Sequence, residues 1–213
     1  MLTVHHLGKS QSERIVWLCE ELGINYDLKR YDRDTETMLA PAKYKALHPI
    51  GAAPVITDGG IVLAESVAIV EYILALHGGG RLALAPSDPG FADYLYWFHF
   101  TNGTLQPSLG RNMVLKWIGI DASNPASAMM AERAERELQL VDARLGEVPF
   151  LAGDEFTAAD IMIVFSLTTM RYFMPYDIAP YPNIATYLAR IADRPAYRAA
   201  MAKGDPGMDV LLT

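Results

Sequence analysis

HPIGAAPVITDGGIVLAESVAIVEYILAL, residues His48–Leu76, carries the signals that decide the fold of the N-terminal part of the chain. Two short apolar runs, Pro54–Thr57 and Ile61–Ala64, flank Asp58-Gly59-Gly60, which is the chemistry of a tight hairpin turn. Directly after them, Glu65–Leu76 sets Val67, Ile69, Val70, Ile73 and Leu74 at helical spacing. Working back toward the N-terminus, Leu2–Leu7 reads as a strand. Ser10–Leu22 reads as a helix with Ile15, Val16, Leu18, Cys19 and Leu22 on its apolar side, and Gly23 stops it. Tyr26–Tyr31 reads as a strand, and Ala42–Leu47 as a short helix before His48-Pro49. The order βαβαββα predicts an α/β domain with a mixed sheet.

Toward the C-terminus the pattern changes. His77–Pro89 holds Gly78-Gly79-Gly80, Pro86 and Pro89, the composition of a linker. Beyond it every segment reads as helix: Phe91–Trp117 with a bend near Gly103 or Pro107, Ala126–Leu145, Thr157–Arg171, Asn183–Ile191 and Pro195–Met201. The expected division is therefore an α/β domain over residues 1–78, a linker at about 79–87, and an all-α domain over 88–213.

Composition narrows the function. The chain has 213 residues, 51% hydrophobic and 20% charged, enough apolar material for a sizeable core. A formal charge of −7 argues against a nucleic-acid partner and against an anionic membrane surface. No apolar run is long enough to span a bilayer, and MLTVHHLGKS lacks the pattern of a secretory signal, so a cytoplasmic protein is expected. A single cysteine, Cys19, excludes an internal disulfide and a cysteine-based zinc cluster. No metal is expected, because His, Cys and carboxylates do not recur at ligand spacing.

Three short motifs carry chemistry. Pro54 opens a strand where a missing N–H costs least, and an X-Pro bond admits the cis form. A cis bond would turn the Ala53 N–H and C=O outward, to pair with an extended peptide. The plain alternative is an edge-strand proline. Glu65-Ser66 opens the next helix. A helix N-terminus favours a carboxylate, Ser66 adds a hydroxyl, and Glu65 can pair with an ammonium group. The alternative is simple capping. In Ser10-Gln11-Ser12-Glu13-Arg14, a serine at a helix start either caps it or aims its hydroxyl at a bound thiol. Such a hydrogen bond favours thiolate, at about 1.4 kcal/mol per pKa unit. Ser10 and Ser12 both fit that role.

Taken in this order, the motifs resemble the glutathione transferase superfamily, in its serine-type branch of bacteria and fungi. The similar stretches are Val4–Gly23 (VHHLGKSQSERIVWLCEELG), His48–Ile56 (HPIGAAPVI), Leu63–Tyr72 (LAESVAIVEY) and Phe150–Asp160 (FLAGDEFTAAD). The last resembles the family's capping box, with Thr157 as cap and Asp160 in place of the usual Glu or Gln. The resemblance implies a thioredoxin-like N-terminal domain followed by an all-α C-terminal domain, with glutathione as co-substrate and a homodimeric assembly.

Residue by residue, the resemblance implies that Ala53, beside Pro54, holds the cysteinyl backbone of glutathione and that Glu65 and Ser66 hold its γ-glutamyl end. In serine-type members the serine four residues before the first-helix arginine activates the thiol, so the resemblance implies Ser10, four before Arg14, for that role. Ala52 stands where some relatives carry a donor for the glycine carboxylate, leaving Lys43, Lys45 or His48 for that end. The electrophile would meet the helical domain, with Asn102, Phe98 and Tyr172 as expected contacts and Arg111 as a weaker one. Aromatic residues at helical spacing also fit a packed core. Cys19 and His5-His6 read as structural. The implied activity is conjugation of glutathione thiolate to apolar electrophiles, with reduction of organic hydroperoxides beside it. The alternatives are a glutathione-dependent peroxidase or disulfide reductase, disfavoured by Lys9-Ser10-Gln11-Ser12 in place of Thr-Pro-Asn, and a non-catalytic binding relative.

Overall fold

The computed structural model describes all 213 residues, Met1–Thr213. The chain forms two compact units: Met1–Ala83 with Ile191–Val210, and Leu84–Arg190 with Leu211–Thr213.

The first unit is built on a four-stranded sheet in the order β2-β1-β3-β4, from β1 (Leu2–Leu7), β2 (Asp27–Tyr31), β3 (Val55–Asp58) and β4 (Ile61–Ala64). β1 runs parallel to β2 and antiparallel to β3, and β3–β4 is the hairpin expected around Gly59, whose φ is 56°. A parallel pair needs a crossover, which α1 (Glu13–Leu22) supplies. The helix buries Ile15, Val16, Trp17, Leu18, Cys19 and Leu22. Gly23 ends it in the left-handed region, where a side chain would be strained, and the Ile24 N–H caps the Cys19 carbonyl. Every residue of β1 is buried, as a central strand covered on both faces must be. The short α2 (Ala42–Lys45) is anchored by Tyr44, which packs with Leu7, Val55 and Ala64 and donates its hydroxyl to the His5 carbonyl at 3.2 Å. α3 (Ser66–His77) follows β4 and buries Ile69, Val70 and Ile73. The sheet and its helices form the mixed α/β arrangement that the element order predicts, in the thioredoxin-like form that the resemblance implies.

The last helix, α9 (Pro195–Gly204), belongs to this first unit and packs on α1. Chain order alone places these residues with the helical half. Specific contacts explain the difference. The Tyr197 ring meets Trp17 edge-on at 4.8 Å, Arg194 grips Glu21 through two bonds of 2.6 and 2.8 Å, and Lys203 reaches Glu20 at 2.7 Å. Pairs so far apart in sequence leave no local signal.

The second unit is helical: α4 (Phe91–Phe100), α5 (Gln106–Trp117), α6 (Pro125–Glu147), α7 (Ala158–Leu167), and α8 (Pro182–Ala192) as far as Arg190. α6 starts on an Asn124 side chain that accepts the Ala126 and Ser127 N–H groups, with Pro125 in its first turn. It buries Ala134, Leu138, Val141 and Leu145 on one stripe. α7 is buried at every position, Asp160 and Ser166 included, and its other residues are apolar. Between α4 and α5 the bend expected near Gly103 or Pro107 takes the form of a π turn, Thr101–Leu105, in which the Gln106 N–H reaches back to the Thr101 carbonyl. Pro107 has no N–H for the Gly103 carbonyl and its ring crowds that group, so the helix widens one turn earlier. No helix is long and apolar enough to cross a membrane.

Candidate functional site

In the first unit, the three motif segments are joined by hydrogen bonds. Arg14 is fully buried, and its Nη1 donates to Gln11 Oε1 at 3.0 Å and to Ser66 Oγ at 3.5 Å. Ser66 Oγ lies 3.4 Å from the same Gln11 oxygen. Gln11 Nε2 donates to the Ala53 carbonyl at 3.0 Å, and the Ala53–Pro54 peptide is cis. The start of α1, the loop before β3 and the start of α3 thus converge on Gln11 and Arg14. Burial pulls the Arg14 guanidinium down to about 9, with Glu13 opposing, so it keeps its proton at neutral pH. A buried positive charge beside Ser66 adds to the free N–H groups at the α3 N-terminus and suits a carboxylate. Glu65 is exposed and available to a cation. Its φ of 75° is a conformation costing about 1–3 kcal/mol outside glycine, of the kind that collects at ligand sites.

Ser10 and Ser12 differ in access. Ser12 is 0% exposed and Ser10 4%. Ser10 donates its hydroxyl to the Leu7 carbonyl at 2.6 Å and lies 2.7 Å from Ser12 Oγ, so meeting a ligand requires its O–H to turn away from Leu7. Ser12 is enclosed by the Leu7 N–H at 3.1 Å and His6 Nδ1 at 2.9 Å. His48 is half-buried. Its Nδ1 accepts the Ile50 N–H at 3.2 Å, which leaves Nε2 as the ring nitrogen for a ligand. Lys43 and Lys45 are exposed, with Lys43 Nζ 5.5 Å from the Tyr31 ring centre. His5 is buried between Tyr31 Oη at 3.0 Å and Thr57 Oγ1 at 3.2 Å, and burial, then Lys29, lowers its pKa.

Cys19 is wholly buried, and burial, with Glu20, pushes its thiol up to about 12. Such a thiol is not a nucleophile at neutral pH. Native protein is expected to leave Cys19 unmodified by an aromatic disulfide reagent while the unfolded chain reacts at one thiol. Prompt reaction of the native thiol would contradict this placement.

In the second unit Asn102 is half-buried within the π turn, a feature common at functional positions. Tyr172 ends the 3-10 turn Thr169–Tyr172 and is 37% exposed. Phe98, the other expected substrate contact, lies on α4. It is 1% exposed and stacks on Tyr94 at 5.6 Å. Arg111 is exposed beside Ser108. Thr157 and Asp160 form the capping box of α7, a structural device. Gln11 was not singled out from sequence. It sits inside the quoted motif, but nothing local tells that its amide bridges segments more than forty residues apart. No group of three or more His, Cys, Asp or Glu side chains gathers so as to hold a metal ion.

With this geometry in place, the comparisons with known proteins are specific. Residues 1–75 match the glutathione S-transferase N-terminal domain and residues 124–190 the C-terminal domain. The chain is 32% identical to glutathione S-transferase 3 of Schizosaccharomyces pombe, over 95% of this chain and 88% of that protein. The chain belongs to the glutathione S-transferase family. It is an enzyme of that family's type. It is also 26% identical to glutathione S-transferase 1 of Saccharomyces cerevisiae, over 95% of both chains. A crystal structure of a glutathione S-transferase from Actinobacillus pleuropneumoniae is 33% identical and superposes with a TM-score of 0.89, covering 98% of this chain and 95% of that one.

Proposed function

We propose that this glutathione S-transferase relative binds glutathione on its first unit and transfers the thiolate sulfur to apolar electrophiles. The observation that carries the proposal is the Gln11–Arg14 network, which gathers Ala53, Ser66 and the Ser10 segment around one place. In this account the γ-glutamyl carboxylate takes the α3 N-terminus and Ser66, supported by the Arg14 charge. The γ-glutamyl ammonium pairs with Glu65. The cysteinyl backbone pairs with Ala53 beside Pro54, and His48 Nε2 or a lysine of α2 serves the glycine end.

The sulfur then lies at Ser10. Donation of the Ser10 hydroxyl stabilises thiolate over thiol, and the displaced proton goes to solvent. The sulfur lone pair forms the C–S bond while the leaving group departs with its electron pair. Asn102 and Tyr172 on the helical unit are the proposed electrophile contacts. Holding both reactants contributes by proximity as well as by charge. With an organic hydroperoxide the same thiolate attacks the terminal oxygen and breaks the O–O bond, the alkoxide takes a proton and leaves as the alcohol, and the sulfenic acid formed condenses with a second glutathione to give the disulfide and water. A cytoplasmic two-fold homodimer is the proposed working form, on family resemblance.

Ser66→Ala tests the binding half. A hydrogen bond to a charged group contributes about 1.5–3 kcal/mol, so KM for glutathione should rise roughly 10- to 100-fold with kcat nearly unchanged. Steady-state kinetics at varied glutathione reads this directly. An unchanged KM would remove Ser66 from the site.

A further inference from the structure

Behind Ser10 runs a buried hydrogen-bond chain that glutathione binding does not call for. Ser10 Oγ lies 2.7 Å from Ser12 Oγ, Ser12 Oγ 2.9 Å from His6 Nδ1, and His6 Nε2 3.0 Å from Asp205 Oδ2. His6 is 0% exposed and Asp205 9%. Asp205 stands 199 residues from His6, just past α9, and its other oxygen accepts the Lys9 N–H at 2.9 Å, next to Ser10. The fit is close. A Cβ on Gly204 would come within 3.2 Å of His6 Nε2, and one on Gly8 within 3.3 Å of Asp205 Oδ1.

Counting protons gives the chain a direction. Ser10 Oγ has an acceptor, the Leu7 carbonyl, at 2.6 Å, and Ser12 Oγ at 2.7 Å. Both contacts are hydrogen bonds only if Ser10 donates to Leu7 and Ser12 donates to Ser10. Ser12 then has no proton for His6, so His6 Nδ1 donates to Ser12 while Nε2 donates to Asp205. That assignment also lets Ser12 Oγ accept the Leu7 N–H, and every short contact is satisfied. It requires His6 as an imidazolium opposite the Asp205 carboxylate. Burial would raise Asp205, but the bond to His6 and its charge, the Lys9 N–H and Arg30 outweigh it and hold the carboxyl below its ordinary range. Arg33 is the other cation facing Asp205. With a neutral His6, Ser12 would turn its proton to Nδ1, and Ser10 would be drawn to donate inward to Ser12.

We propose that Asp205, His6 and Ser12 are positioning residues for thiol activation. By filling the acceptor side of the Ser10 hydroxyl they oblige Ser10 to donate, to Leu7 when no thiol is bound and to the sulfur in the complex. The inference rests on Ser10 as the group that meets the glutathione sulfur. It makes the segment after the last helix part of the machinery that ionises the thiol.

The test is the ultraviolet absorbance of thiolate in the glutathione complex, titrated against pH for wild type, Ser10→Ala, Asp205→Asn and Ser12→Ala. Asp205→Asn removes the counter-charge of His6 and lets the chain reverse. The bound thiol pKa should rise by about one unit, roughly threefold less thiolate at neutral pH, with the dissociation constant for glutathione changed less than about threefold. Ser12→Ala should do the same and keeps the His6–Asp205 tether, so it carries the test if Asp205→Asn fails to fold. A merely structural role would lower the unfolding temperature and leave the thiol titration in place. If Ser10→Ala shifts the thiol while folded, glutathione-binding Asp205→Asn and Ser12→Ala titrate as wild type, the relay is wrong and the transferase mechanism stands. If Ser10→Ala itself leaves the thiol unshifted, the assignment of Ser10 falls, and the relay with it.

Discussion

Asp160→Ala is expected to lower the unfolding free energy by about 3–5 kcal/mol, the largest single loss of stability in the helical unit. Asp160 is fully buried. Its Oδ1 accepts the Leu151 N–H at 3.0 Å and the Tyr187 hydroxyl at 3.1 Å, and its Oδ2 accepts the Thr157 N–H at 2.9 Å. Alanine strands three buried donors, each costing about 1–3 kcal/mol without an acceptor. It also opens the start of α7, which is buried at every position. Thr157→Ala removes the acceptor of the Ala159 N–H and a 3.4 Å donation to Asp160 Oδ2, and should cost about 1 kcal/mol. Urea unfolding of the three proteins measures the order, and a loss below that of Thr157→Ala would contradict it.

The same carboxyl adds a pH dependence of known sign. Burial pushes Asp160 up to about 6 from its ordinary 3.8, against the hydrogen bonds from Thr157, Leu151 and Tyr187. Its folded pKa lies above its unfolded one, so the folded state holds the proton through that window. The resulting stability is fully present below about 3.8 and is lost as pH rises through about 6. Asp160→Ala should lack that slope.

Ser10→Ala is the second large effect, on chemistry rather than folding. Without the hydroxyl the bound thiol should return toward its free value, a rise of about two units to about 8.5, leaving roughly 25-fold less thiolate at neutral pH. Turnover should fall by a similar factor while KM for glutathione changes little. The deficit should shrink as the assay pH is raised past the free thiol pKa, because solvent then ionises the sulfur unaided. Conjugation rates across pH measure both features. A loss constant with pH would mean that Ser10 acts on something other than ionisation.

Much of this fold was legible in the residues because its signals are local. Asp58-Gly59-Gly60 marks a turn by backbone freedom alone, Gly23 stops α1 in the left-handed region, and Pro107 forces a departure in the long helix that begins at Phe91. What local signals could not show is what distant segments do to one another. α9 joins the first unit through Tyr197, Arg194 and Lys203, each paired with a residue of α1. The form of the bend, a π turn, depends on which carbonyl the Gln106 N–H reaches.

The candidate site divides in the same way. Ala53-Pro54, Glu65-Ser66 and Ser10 stood out because each motif has its own chemical rationale. Gln11 did not, since an amide between two serines has no chemistry until Ala53 and Ser66 are brought to it. His6 read as structural, and its place behind Ser12 became visible only with Asp205 beside it. Phe98 shows a different limit: an aromatic at helical spacing serves a core or a cleft equally well, and in the structure it stacks on Tyr94.

The most direct measurement is a calorimetric titration of the purified protein with reduced glutathione, followed on the same sample by conjugation to chlorodinitrobenzene. Saturable binding that weakens in Ser66→Ala, together with conjugation that weakens in Ser10→Ala, is the predicted result. Absence of glutathione binding by the folded wild-type protein would contradict the account at its centre.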